Sequence, residues 1–253
     1  MKDFIKYIKH PIPIENAEQF TLKVFLKTIG LCYFLFFILS AFLVVFKYLN
    51  LLPNYPKPEV NSIFIFLIIT VLGPLFEEIL CRLNLKISKV NIAAFVSVLI
   101  TFIIKLLFVR EIKFQFYLYF GTLLFFVLIY YFLNLNNFPL QKIEKYWKSN
   151  FKYIFHLSAI TFGILHLNNF EAIYWWMIVI SPFLMSPYIA LGYVLGYIRM
   201  KYGFTYGWLI HSTINFIFVI FAIHKGTIVV LILAVLLLTT NYFIQKMKRT
   251  TSY

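Results

Sequence analysis

Aspartate is almost absent: Asp3 is the only one in 253 residues, and it lies ahead of the first long apolar run. An intramembrane aspartyl dyad therefore cannot be built from this chain. Neither G-x-S-x-G nor H-E-x-x-H occurs, which removes the serine-elbow and zincin patterns. Charge of either sign is scarce. Charged residues make up 13% against about 25% in a soluble domain, and hydrophobic ones 62% against about 45–50%. No soluble module is expected. The only two cysteines, Cys32 and Cys81, both fall in apolar runs, where they read as packing residues rather than a disulfide or metal pair. A cleavable signal is not expected either: the first apolar run is too long for an h-region and no small-residue cleavage site follows it. There is no internal repeat and no low-complexity segment.

What is present is a series of long apolar runs. At about 20 residues per crossing, spans are expected near 28–49, 61–81, 91–109, 114–135, 153–168, 172–198, 204–223 and 226–245. The fold class is thus an all-α, polytopic bundle of about eight spans over 28–245. An interfacial segment, 1–27, precedes it and a short tail, 246–253, follows. With the N-terminus inside, inward segments hold seventeen Lys and Arg residues and outward segments five, namely Lys47, Lys57, Arg110, Lys113 and Lys225. By the positive-inside rule both termini are cytoplasmic. The net charge of +14 is then topological and faces anionic lipid, not nucleic acid.

In "KDFIKYIK", Lys2, Lys6 and Lys9 share one helical face and Phe4, Ile5 and Ile8 another, which fits a short interfacial helix or a solvated tail. Residues 52–58 form a Pro-rich outer loop, and 136–150 a basic, aromatic stretch for the inner surface. Pro182 and Pro187 should kink or break the span containing them. Gly192 and Gly196 form a GxxxG suited to close helix packing.

The polar residues within the spans are few: Glu77, Glu78, Arg82, Lys105, His156, His166, His211 and Asn215. An ionisable group near a helix centre costs about 2.5–3.5 kcal/mol by insertion scales, so each is a functional-site hypothesis by default. Residues four apart share a helix face. Glu78 and Arg82 can therefore pair, while Glu77, turned about 100° away, stays free to enter a cavity as a base. Phe162 and His166 repeat the spacing, as do His211 and Asn215. His156 reads as an interfacial residue, and Lys105 as one that snorkels or pairs. Singly, each feature also fits ordinary packing or helix-to-helix hydrogen bonding. Together, three polar clusters on three spans favour a buried site.

"EEILCR", "FGILH" and "HSTIN" resemble, in order, the EExxxR, FxxxH and HxxxN signatures of the CAAX prenyl protease / bacteriocin-processing (CPBP, type II CAAX protease) family. The surroundings "GPLFEEIL" and "YGFTYGWLIHSTIN" are also similar, and the resemblance covers about 60–220. It implies a multi-helix membrane bundle, in a bacterial cytoplasmic membrane, that hydrolyses a peptide bond of a membrane-associated peptide or protein substrate near the cytoplasmic side. Glu77 matches the catalytic glutamate and His166 the histidine that helps it activate water. His211 and Asn215 match the pair proposed to stabilise the oxyanion; Glu78 and Arg82, with Phe162, match supporting positions. No cofactor or metal is expected, with zinc kept as the alternative. The two spans at 91–135 are extra to this core.

In a simple up-and-down arrangement Glu77 lies near the inner end of its helix and His166 near the outer end of its own. Either the Gly73-Pro74 step begins a displaced helix, or the span near 153–168 is bounded differently. Two other function classes compete with the protease. One is a non-catalytic partner, such as a bacteriocin-immunity or scaffold protein. The other is a proton-coupled transporter, whose inverted repeat of broken helices is not found.

Overall fold

Apolar composition decides that this chain forms long helices, and a few polar and proline residues decide where each begins and ends. The computed structural model describes residues 2–54, 60, 62–108, 115–135 and 138–223. The expected span 226–245, the tail 246–253 and much of the Pro-rich loop lie outside them. Every regular element among the described residues is helical.

Helix α1 (Lys2–Lys9) is docked, not a free tail: Tyr7 is buried, with its ring 5.4 Å from that of Phe155 and 5.3 Å from that of Tyr197. Helix α2 (Leu22–Leu39) starts at Thr21, whose hydroxyl accepts the Val24 N–H, and α3 (Ala41–Tyr48) extends it. Ser62 caps α4 (Ile63–Leu67) in the same way, accepting the Ile65 N–H. A π-helical turn, Ile68–Leu72, then leads into α5 (Gly73–Arg82) and a 3₁₀ turn, Leu83–Leu85. Helices α6 (Lys89–Phe108) and α7 (Gln115–Leu135) pack along each other, and the Thr101 and Thr122 hydroxyls meet at 2.8 Å. The amphipathic α8 (Leu140–Ser149) precedes α9 (Phe151–Leu165), which closes in a 3₁₀ turn, His166–Asn169. There follow α10 (Trp175–Val179), α11 (Ser181–Leu184), α12 (Ser186–Lys201) and α13 (Phe204–Ile223).

By length and composition three helices among the described residues can cross a membrane: Leu22–Tyr48, Ile63–Leu85 and Phe204–Phe221. Phe120–Leu135 with Leu140–Ser149 makes a fourth if this pair, bent by 108°, is one span. That is fewer than the eight expected: 226–245 lies outside the described residues, α6 is not among the candidates, and two other spans are shortened or divided. Helix α9 has only 15 residues before it tightens at His166. The apolar run 172–198 is divided into α10, α11 and α12, with Pro182 and Pro187 each in the first turn of a new helix, where a missing N–H costs nothing.

Helix α12 is the centre of the bundle. Leu191, Gly192, Val194, Leu195, Gly196, Ile198, Arg199 and Met200 are all buried, so it is covered on nearly every side. Its GxxxG lies on α9: a Cβ at Gly192 would stand 2.7 Å from the Ala159 carbonyl oxygen, and one at Gly196 3.0 Å from the Phe155 ring. Cys32, Cys81, Phe162, Leu195, Ile210 and Ile214 join α12 in one apolar core, and both cysteines are free thiols. On the outside, Phe34, Phe37 and Ile38 of α2 and Leu123, Leu124, Val127 and Leu128 of α7 are exposed. Such wide apolar faces suit lipid rather than water.

Candidate functional site

The site begins with the π-helical turn. Inserting an extra residue into a turn shifts the hydrogen-bond register and frees backbone carbonyls. Here α13 accepts the task of satisfying them: Asn215 Nδ2 donates to the Ile69 carbonyl at 3.2 Å, and Trp208 Nε1 to the Val71 carbonyl at 3.0 Å. The helix that follows, α5, is thereby held against α13 with its two glutamates at the junction.

Glu78 is fully enclosed. Its Oε1 lies 3.1 Å from Arg82 Nη1 and 3.0 Å from His211 Nδ1, and all three side chains are at most 1% exposed. Arg82 also lays its guanidinium over the Phe162 ring, 3.6 Å from the centroid. Arg199 Nε donates to the Arg82 carbonyl at 3.4 Å. Two buried carboxylate and guanidinium charges thus neutralise each other, as a membrane interior requires.

Glu77 faces the other way. Its side chain is 41% exposed and lines a cavity of about 220 Å³ between α5, α6, α7 and the end of α9. His166 and Phe162 line the same cavity. His211 joins the two glutamates: with Nδ1 on Glu78, its Nε2 lies 3.6 Å from Glu77 Oε2. An ionised Glu78 accepts the proton on His211 Nδ1, which leaves Nε2 as the nitrogen turned toward Glu77.

His166 is oriented from three sides. Its Nδ1 is 2.8 Å from the Phe162 carbonyl and must donate there, since a carbonyl can only accept; Nε2 is left as the basic nitrogen. The ring stacks on Tyr188 at 4.1 Å and 24° and meets the edge of Phe162 at 4.7 Å.

The depth conflict disappears in this geometry. Ser158 Oγ donates to the Cys81 carbonyl, which sets those two residues at one level. From there Glu77 is about 6 Å up α5 and His166 about 12 Å up α9, at about 1.5 Å per residue. Side chains lean toward the N-terminus of their own helix, so His166 leans down α9 and Glu77 leans up α5. Helix α5 does begin at Gly73, after the π-helical turn, and α9 passes at Leu165 into a 3₁₀ turn.

Of the residues singled out by sequence, Glu77, His166 and Phe162 share the cavity, and Glu78, Arg82 and His211 form the buried cluster behind it. Asn215 lies one turn from His211, but its amide nitrogen is engaged with Ile69. His156 instead bonds Tyr193 at 3.0 Å, away from this site. Sequence spacing missed Trp208, Tyr188 and Arg199, whose partners are distant in the chain. It also gave no reason to place Lys105, Thr101 and Asn168 on the cavity wall. Among the described residues no group of three or more His, Cys, Asp and Glu side chains is arranged to hold a metal ion. Comparison with protein-family models, curated proteins and solved structures finds no match to this chain.

Proposed function

We propose that this chain is a membrane-embedded endopeptidase of the CPBP type, which uses Glu77 and His166 to activate water against a peptide bond. The observation that carries this reading is one partly exposed carboxylate and one oriented imidazole facing a single cavity, while the neighbouring carboxylate is buried in an ion pair with Arg82. A general base needs a lone pair within reach of a water, and the pairing of Glu78 leaves Glu77 as the carboxylate for that role.

In the proposed reaction a cavity water gives one proton to Glu77, and its oxygen attacks the scissile carbonyl. His211 Nε2, beside Glu77, offers that proton a second resting place before it passes to the leaving nitrogen. The oxyanion needs donors aimed at the position it will occupy. The basic Nε2 of His166 serves the water on the cavity side, and the resemblance gives His211 and Asn215 as the oxyanion donors. The substrate would be a membrane-associated peptide or protein, prenylated or bacteriocin-like, handled within a bacterial cytoplasmic membrane. Glu77 lies eight residues before the inner end of Ile63–Leu85, in the cytoplasmic half under the positive-inside orientation.

Incubating the purified chain in lipid nanodiscs with a peptide library in ¹⁸O-labelled water tests this directly. The expected result is cleaved peptides whose new carboxylate carries one ¹⁸O per turnover. A library that stays intact across all members favours the non-catalytic partner instead.

A further inference from the structure

Helices α6 and α7 are extra to the resembling core, yet they form a wall of its cavity, and that wall carries a charge. Lys105 of α6 lines the same 220 Å³ space as Glu77 and His166. Resting on the protease reading above, we propose that Lys105 is a specificity-determining residue that binds a carboxylate of the substrate close to the scissile bond.

Among the described residues no ion pair or hydrogen bond involves Lys105. Its neighbours on α6, Phe102, Ile103, Ile104 and Leu107, are apolar, so a cation there is costly in lipid and calls for a function. Among the described residues Glu77 is the acidic side chain on the cavity wall, and its ion-pair partner there is His211. A substrate carboxylate approaching this site would be repelled by Glu77 unless a cation compensated, and Lys105 is the cation that lines the cavity. Asn168 stands on the same wall and adds a neutral hydrogen-bonding group. A single cavity of this size holds both charges, which sets the carboxylate roughly one to three extended residues from the bond cleaved, at about 3.3–3.6 Å per residue.

Two sources of carboxylate satisfy the chemistry: a chain terminus and an Asp or Glu side chain. A peptide cleaved by the full-length protein in nanodiscs is prepared in four forms, with a free or amidated C-terminus and with Glu or Gln near the scissile bond. The wild type should prefer one carboxylate form by tenfold or more in kcat/KM, and the form preferred identifies the source. Lys105→Met should abolish that preference, Lys105→Arg should keep it, and Lys105→Glu should reverse it. Melting curves confirm that each variant is folded. A wild type that cleaves all four forms equally overturns the proposal whichever variants fold. So does a Lys105→Met protein that keeps the preference, the outcome if Lys105 only snorkels to the membrane surface. A wild type that cleaves no member of any peptide panel overturns the protease reading itself, and this proposal with it.

Discussion

One oxygen of Glu78 is held by an ion pair with a helix neighbour four residues away and by a hydrogen bond from a histidine 133 residues away. Removing either partner of a buried pair strands the other, at about 3–5 kcal/mol. Arg82→Ala and Glu78→Gln should therefore lower the melting temperature and the folded yield together, with Arg82→Ala also losing its contact with Phe162. Unchanged melting curves for both would show that the pair is not structural. At this scale the sequence was informative where contacts are local. Glu78–Arg82, the outward turn of Glu77 and the Phe162–His166 contact all follow from helical spacing. The bond from His211 to Glu78 and the stacking of Tyr188 on His166 do not, because no local period relates residues on different helices.

The π-helical turn is the element that sets the site, and nothing in "IITVLG" announces it. Its free carbonyls are taken up by Trp208 and Asn215, so α13 clamps the entry to α5. A buried acceptor left without its donor costs about 1–3 kcal/mol. Trp208→Phe and Asn215→Ala should each reduce thermal stability, and should reduce turnover through displacement of Glu77. If Asn215 acts solely on the oxyanion, Asn215→Ala will slow turnover with an unchanged melting temperature, and that pattern would refute the clamp. Proline positions made the break of 172–198 legible, whereas the shortening of α9 depends on how His166 packs against Phe162 and Tyr188.

Across the whole molecule, ionic contacts gather at one rim of the described helices. Lys148 pairs with Glu15 at 3.1 Å, Lys201 with Glu18 at 3.3 Å, and Lys86 Nζ donates to the Glu15 carbonyl at 3.2 Å. These join the N-terminal segment, α8 and the end of α12 on one side of the apolar belt, consistent with a cytoplasmic face. Lys145→Cys on α8 should react with a membrane-impermeant maleimide only after the cells are opened; Cys32 and Cys81, at 4% and 3% exposure, should contribute little background. Labelling in intact cells would reverse the orientation. Hydropathy placed apolar runs at 91–109 and 114–135, and helices α6 and α7 form there, but their placement as a cavity wall is set by packing on α5, which a one-dimensional profile does not encode.

Everything proposed for this site turns on whether Glu77 accepts a proton from water. Glu77→Gln preserves its size and removes that capacity, and at 41% exposure the side chain can change without stranding a buried charge. The most direct measurement is kcat for a cleaved peptide by purified wild type and Glu77→Gln, with a melting curve for each. The expected result is a fall of about 10²–10⁴-fold at an unchanged melting temperature. Equal cleavage by the two proteins would contradict a catalytic Glu77.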